Sequence, residues 1–120
     1  MPHISLLTTS DLAENAHVPD ILQALVEELC RHETIDPGAV KAYHSMRSNW
    51  VVGLGHPAGV AHCEVSILTG RPLELRKAIT TGIAGVLREA FSESLGSGEV
   101  GLTFELREME RETFVRLTGG

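Results

Sequence analysis

Two residues, one at the start of the sequence and one in its second half, carry groups suited to proton transfer on a small anion: Pro2 and Arg71. If Met1 is removed, Pro2 has a free secondary amine, and burial of that amine beside cations lowers its pKa toward neutrality. Such an amine can act as a general base near pH 7. Arg71 can bind a carboxylate through two hydrogen bonds and stabilise charge on a conjugated oxygen. This chemistry predicts an isomerisation without a metal or an organic cofactor, because a single base can take and return the proton.

Arg71 stands at a corner between a predicted strand and a predicted helix. Before the corner, apolar and polar positions alternate as in a half-buried strand: Cys63, Val65 and Ile67 against His62, Glu64 and Ser66. After it, Pro72 suits the first position of a helix, and apolar residues recur at spacings of three and four through Phe91. An arginine at such a corner is most often a solvated surface residue. If Arg71 has a function, we expect it to bind substrate rather than to stabilise the fold.

The pattern in the rest of the chain predicts a strand–helix–strand unit that occurs twice. The first half has a strand from Pro2, a loop over residues 8–18, a helix opened by Pro19, and a long irregular strand over residues 40–52. A glycine-rich connector over residues 53–59 leads to the second half, whose helix stops at residues 96–98 before a strand over residues 100–106. We predict an α+β fold: a duplicated βαβ unit forming a four-stranded sheet with two helices on one face. Residues 1–120 then form a single domain with pseudo-repeats at about 2–52 and 60–109. Apolar residues on the bare sheet face would favour oligomerisation.

Several segments resemble known enzymes. The Gly70–Arg71 corner with its strand and helix resembles the start of 4-oxalocrotonate tautomerase, and this resemblance implies a catalytic role for Arg71. Ala61 stands where those enzymes have their amino-terminal proline, so the second half lacks a base of its own. Over residues 2–109 the chain resembles the 5-carboxymethyl-2-hydroxymuconate isomerase family of the tautomerase superfamily. Matching segments are Met1-Pro2-His3, the Pro19 helix, Val40-Lys41, Trp50, Ala61-His62, Gly70-Arg71 and residues 102–106. The resemblance implies an isomerase acting on a small anionic substrate, assembled as a homotrimer with Pro2 as the first residue of the mature chain.

Three further residues are candidates for substrate binding: Lys41, His3 and Trp50. Lys41 stands where the resemblance implies a second arginine, and a lysine lacks the planar fork of a guanidinium. His3 and His62 occupy matching places in two predicted strands, where they either flank a pocket or form hydrogen bonds within the sheet. Trp50 lies in an arm that could contact a neighbouring subunit.

Composition argues against several other classes of protein. The net charge of -6 with two lysines, Lys41 and Lys77, argues against binding to nucleic acid or to an anionic membrane. Four histidines, His17, His32, His44 and His56, share no metal-ligand spacing, so we predict no metal site. Cys30 and Cys63 are too few for a disulfide framework, and with no apolar run of about 20 residues the chain is expected to be cytoplasmic.

Two alternatives to the isomerase remain open at this point. A superfamily relative that hydrates or dehalogenates its substrate would need an additional acid to activate water, and Glu64 and Glu105 are strand-borne candidates. A non-catalytic trimeric binding protein is the other alternative. It is favoured if Met1 is retained, because Pro2 is then an amide without a basic lone pair.

Overall fold

The strands and helices follow the predicted order. The computed structural model describes residues 1–55 and 58–119, so His56 of the predicted connector lies outside the described residues. The strands are β1 (His3–Thr9), β2 (Lys41–Arg47), β3 (Gly59–Leu68) and β4 (Val100–Met109). The helices are α1 (Val18–Leu29), α2 (Leu73–Ala90) and α3 (Ser92–Ser97). Short 3₁₀ helices lie at Ala13–His17, Pro37–Ala39 and Arg111–Thr113.

The strands form one sheet in the order β2-β1-β3-β4. Each βαβ unit contributes a parallel pair, β1 with β2 and β3 with β4, and the two units meet at the antiparallel pair β1 and β3. A parallel pair needs a crossover, which α1 supplies in the first unit and α2 in the second. The predicted α+β fold with a duplicated βαβ unit is confirmed.

Both long helices pack on one face of this sheet. The strand residues of that face are fully buried: Ile4, Leu6, Ala61, Cys63, Val65 and Ile67. They form one cluster with the apolar stripes of the helices: Ile21, Leu25 and Leu29 of α1, and Ile79, Ile83 and Leu87 of α2. Spacings of three and four put each stripe on one side of its helix, so burial of these stripes fixes both helices on the sheet.

The other sheet face is more polar than the sequence analysis anticipated. Cross-strand neighbours there are joined by hydrogen bonds: His62 Nδ1 lies 2.6 Å from Thr103 Oγ1, and Arg107 Nη1 donates to Glu64 Oε1 at 3.0 Å. Some exposed apolar residues accompany these polar groups: Tyr43 lies on this face beside His3, and Met46, Val51 and Leu54 lie on β2 or in the segment after it. The expectation that apolar residues on this face favour oligomerisation stays a prediction.

Several element boundaries differ from the predicted ones. The predicted loop over residues 8–18 contains the end of β1 and a 3₁₀ helix, where buried Glu14 accepts hydrogen bonds from the Ser94 main chain and hydroxyl. The predicted long strand over residues 40–52 ends at Arg47. Pro72 is the residue that caps α2 rather than its first helical residue. The short helix α3 precedes the predicted stop, which occurs at Gly98 with a φ of 76°.

In the described part of the chain, no helix is both long and apolar enough to cross a lipid bilayer.

Candidate active site

Strand pairing places the candidate residues Pro2 and Arg71 at one end of the sheet. His3 is opposite Lys41 on one side and Ser66 on the other, and Leu68 at the end of β3 is opposite Met109 at the end of β4. The starts of β1 and β2 therefore meet the ends of β3 and β4. We call this the Pro2 end of the sheet. The corner with Arg71 and the segment after β4 both emerge there.

Pro2 is buried at this end, and its neighbours hold it in the sheet. Its carbonyl oxygen accepts a hydrogen bond from the Lys41 main-chain nitrogen at 3.0 Å, which extends the pairing of β1 with β2 by one residue. With Met1 present, the Pro2 nitrogen is part of a peptide bond and the free amine belongs to Met1. Removal of Met1 moves the amine by one residue, about 3.8 Å between Cα atoms, into this buried position.

The terminal amine lies among positive charges. The pKa of the Met1 amine is lowered below its ordinary value, first by burial and then by four cationic side chains: Arg71, Lys41, Arg111 and Arg116. Burial and nearby cations both disfavour the protonated amine, so both causes act in the same direction. An amine at this place is thus shifted toward the free-base form that general-base catalysis needs.

A cavity of about 340 Å³ opens beside the terminus. It is lined by the following residues: Met1, His3, Lys41, Phe114, Val115, Arg116, Leu117 and Thr118. Its volume is at the lower end of the range of about 300–1,000 Å³ that is typical of small-molecule sites. The apolar residues come from the segment after β4, and the cations can neutralise an anionic guest.

Arg71 is held in place by hydrogen bonds to the protein. Its Nε donates to Thr34 Oγ1 at 2.9 Å, its Nη2 to the Thr34 carbonyl at 2.8 Å, and its Nη1 to the Leu68 carbonyl at 3.2 Å. Burial and the nearby Arg111 guanidinium lower the pKa of Arg71. The side chain is half-buried, and it links the segment after α1 to the end of β3. These contacts, which the sequence did not indicate, suit a role of Arg71 in stability as well as in binding, and two of its five N–H groups remain for a ligand.

Arg111 is a candidate residue that the sequence analysis missed. Its Nε donates to the Thr69 carbonyl at 2.7 Å, and its Nη2 lies 3.6 Å from where a Cβ on Gly70 would sit. Gly70 adopts a φ of 124°, which side-chain-bearing residues avoid, so the tight corner beside Arg111 depends on glycine. Since β4 runs parallel to β3, the residues after Met109 must lie near the Arg71 corner. This topological signal could have indicated Arg111 and Arg116.

The three predicted substrate-binding residues fall in different places. His3 and Lys41 line the cavity, where His3 Nδ1 lies 3.3 Å from the Tyr43 hydroxyl and Lys41 Nζ donates to the Ala39 carbonyl at 3.3 Å. Trp50 follows the far end of β2, and its indole nitrogen donates to the Ala58 carbonyl at 2.8 Å. The seven residues of β2 separate it from the Pro2 end by roughly 20 Å. Trp50 is therefore remote from the cavity of its own chain.

At the opposite end of the sheet, β2 ends at Arg47 and the corner after β1 is acidic. The corner after β1 carries Asp11, whose carboxylate accepts a hydrogen bond from Thr9 Oγ1 at 2.6 Å. Ala61 is fully buried within β3, where it pairs with Thr8 and Leu102. Because Ala61 is internal to the chain, it has no free amine.

The two glutamates considered for water activation lie on the open sheet face. Glu64 and Glu105 lie 3.0 Å and 3.8 Å from Arg107 nitrogens. Together with His62 they bring three potential ligand atoms within 4.8 Å of one another, but the Arg107 guanidinium already supplies the opposite charge. Neither glutamate lines the cavity beside the terminus, and Pro2 and Arg71 lie near it without lining it.

Solved structures share this fold. A 5-carboxymethyl-2-hydroxymuconate isomerase from Deinococcus radiodurans R1 has a TM-score of 0.89 and 22% identity, covering 98% of this chain and 90% of that chain. A 5-carboxymethyl-2-hydroxymuconate delta-isomerase has a TM-score of 0.81 and 19% identity, covering 99% and 89%. A fused 4-OT protein described as a symmetric trimer has a TM-score of 0.73 and 16% identity, covering 98% and 93%. At these identities the likeness establishes the fold alone.

The family is established by sequence. No curated protein matches the chain. The profile of the 5-carboxymethyl-2-hydroxymuconate isomerase family matches residues 2–118, which is nearly the whole sequence and includes both βαβ units. The resemblance found in the sequence analysis is confirmed: the chain belongs to the 5-carboxymethyl-2-hydroxymuconate isomerase family and is an isomerase.

Proposed function

We propose that this isomerase is a tautomerase of a small unsaturated carboxylate, such as 5-carboxymethyl-2-hydroxymuconate, and that Pro2 is its general base once Met1 is removed. The observation that carries the proposal is the place of the terminal amine. It lies at the Pro2 end of the sheet beside a cavity, with its pKa lowered by burial and by four cationic side chains. Those cations favour an anionic substrate as well as a neutral amine.

The proposed reaction moves one proton. The Pro2 nitrogen takes the proton of the enol hydroxyl, the electron pair shifts through the conjugated double bonds, and the protonated amine returns the proton to carbon. Arg71 holds a carboxylate through its two remaining N–H groups and stabilises negative charge on the conjugated oxygen while the proton is on Pro2. His3 and Lys41 line the cavity and contact the substrate there.

We further propose that the chain acts as a homotrimer. The fused 4-OT structure with the same fold is described as a symmetric trimer. In this chain β2 and β4 are edge strands, and such edges commonly pair or are covered in an assembly. The exposed Tyr43, Met46, Val51 and Leu54 lie on and after one of them. Trp50 lies in the same segment, so a role in substrate binding would require the cavity of a neighbouring subunit.

Two free cysteines agree with action in the reducing cytoplasm. Cys63 is buried in the sheet and Cys30 is half-buried after α1. Neither is needed as a crosslink, because the core of the two βαβ units is continuous.

The test compares protein from which Met1 has been removed with protein that retains it, using a 2-hydroxymuconate-type dienol whose ketonisation is followed by ultraviolet absorbance. If Pro2 is the base, the processed protein should be faster by about 10²- to 10⁴-fold, the usual worth of general-base catalysis. Pro2→Ala keeps a primary amine after processing and should lose less. Equal rates above the uncatalysed background would reject Pro2 as the base, and a rate no higher than background for both proteins would favour the non-catalytic alternative.

A further inference from the structure

Arg71 and Arg111 differ in how many donors they retain for a ligand. The protein uses all three nitrogens of the Arg71 guanidinium, in bonds to Thr34 and Leu68. Arg111 uses only its Nε, in the bond to the Thr69 carbonyl. Among the described residues, neither terminal nitrogen of Arg111 has a hydrogen-bond acceptor or an acidic partner. Arg111 therefore keeps the whole outer edge of its guanidinium, the edge that binds a carboxylate through two parallel bonds.

The Arg111 side chain is fixed close to the predicted reaction centre. Its Nε bond to Thr69 anchors it directly after β3, and its Nη2 lies over the Gly70 corner that precedes Arg71. Extending the pairing of β1 with β3 beyond His3 and Ser66 puts Pro2 beside Ile67, two residues before Thr69. The main-chain anchor also reduces the side-chain freedom that would be lost when a ligand binds.

Lys41 cannot supply the same contact. Its Nζ donates to the Ala39 carbonyl, and a lysine ammonium is a point charge without a planar fork. Arg116 lines the cavity and adds positive charge from the same segment as Arg111. The segment after β4 thus places two guanidinium groups at the Pro2 end, that of Arg111 and that of Arg116.

From this arrangement we infer that Arg111 forms a second carboxylate subsite, distinct from that of Arg71, and that it selects dicarboxylates over monocarboxylates. The inference rests on the proposed function, since it names the residue that would hold a second carboxylate of that substrate. Arg71 binds the carboxylate nearest the reacting enol, and Arg111 binds the carboxylate at the other end of the unsaturated chain.

The experiment measures binding of two unreactive probes, muconate and sorbate, to Met1-free protein by isothermal titration calorimetry. Both probes are six-carbon dienoic acids, but muconate has two carboxylates and sorbate has one. Arg111→Gln should weaken muconate binding by about tenfold or more, as expected for the loss of a charge-assisted bidentate contact, and should change sorbate binding by less than about threefold. Arg88→Gln is the control. It makes the same charge change on an exposed residue near the far end of α2 and should change neither affinity.

Arg111→Lys separates binding from stability, because it keeps a positive donor for the Thr69 carbonyl but lacks the fork. It should melt near the wild-type temperature and still bind muconate more weakly. Full muconate affinity in either Arg111 variant would overturn the inference, as would an equal loss for muconate and sorbate. A wild-type protein that ketonises no dienol but shows the Arg111-dependent preference for muconate would refute the proposed function while supporting the subsite.

Discussion

Arg71 should have two separable roles, one in stability and one in substrate binding. Arg71→Met keeps most of the side-chain volume but removes every guanidinium donor. The three lost hydrogen bonds currently join Thr34, in the segment after α1, to the Leu68 carbonyl at the end of β3. Their loss should loosen the segment after α1 as well as remove the carboxylate ligand.

The size of the stability effect follows from the number of bonds and their exposure. Hydrogen bonds from a charged donor contribute about 1.5–3 kcal/mol each when well shielded, but Arg71 is half-buried and Thr34 is exposed, so we take about 0.7 kcal/mol for each. The three together give a loss of about 2 kcal/mol. For a chain of this size that corresponds to a fall in Tm of about 8 °C. The loss of substrate binding should add at least a tenfold fall in kcat/KM, or about 1.4 kcal/mol.

The assay combines thermal unfolding with dienol ketonisation at a temperature where the variant is fully folded. Thr34→Val is the matched control, because it removes the Oγ1 acceptor but leaves the Thr34 carbonyl and the guanidinium intact. It should cost about 0.7 kcal/mol and leave kcat/KM within about threefold. In a double-mutant cycle, Thr34→Val should cost almost nothing once Arg71 is methionine.

Two results would refute this account of Arg71. An Arg71→Met variant that melts within about 1 °C of wild type would show that the three bonds do not stabilise the protein. A variant that loses the expected stability but keeps full kcat/KM would limit Arg71 to a structural role and remove it from the proposed site.

Two other groups yield predictions from their burial. Burial, with a smaller contribution from Glu64, raises the pKa of the Cys63 thiol to about 12. Iodoacetamide at pH 8 should therefore leave Cys63 unmodified in the native protein and alkylate it in denaturant. Alkylation at equal rates under both conditions would contradict the burial of Cys63. Burial lowers the pKa of His44, whose Nε2 lies 2.7 Å from Thr8 Oγ1. His44 therefore binds a proton more readily in the unfolded chain than in the folded protein. The stability that neutral His44 contributes is fully present above a pH of about 6.5 and is lost as the pH falls through the lowered pKa. Urea unfolding measured at several pH values should show this decrease in the free energy of unfolding, and the decrease should be smaller in the His44→Gln variant.

The sequence predicts those parts of the fold that depend on periodicity. Alternation in residues 61–68 identifies β3 and its buried face, and apolar spacing identifies α1 and α2, because these patterns directly reflect which side chains are buried. The polar character of the open face was also readable from His62, Glu64 and Ser66. The ends of α2 and β2 were less predictable, because capping by Pro72 and the end of β2 at Arg47 depend on tertiary contacts.

The site was only partly predictable because it is assembled from residues distant in sequence. Pro2 and Arg71 were identified through their chemistry and through family resemblance. Arg111 lies in a charged segment without periodicity, and only the parallel pairing of β3 with β4 places it beside Gly70. Trp50 was grouped with the site, but its position depends on the direction of β2, which carries it to the opposite end of the sheet.

The pKa of the Pro2 amine is the quantity that the proposed mechanism depends on most directly. It can be measured by ¹⁵N NMR titration of processed protein labelled at proline, because only Pro2 among the five prolines then has a titrating nitrogen. If Pro2 is the general base, its pKa should lie below the ordinary range for a chain terminus of about 7.7–8.0 and should match the ascending limb of the pH profile of kcat/KM. A Pro2 pKa at or above that ordinary range, or a kinetic limb that does not coincide with it, would contradict the assignment of Pro2 as the general base.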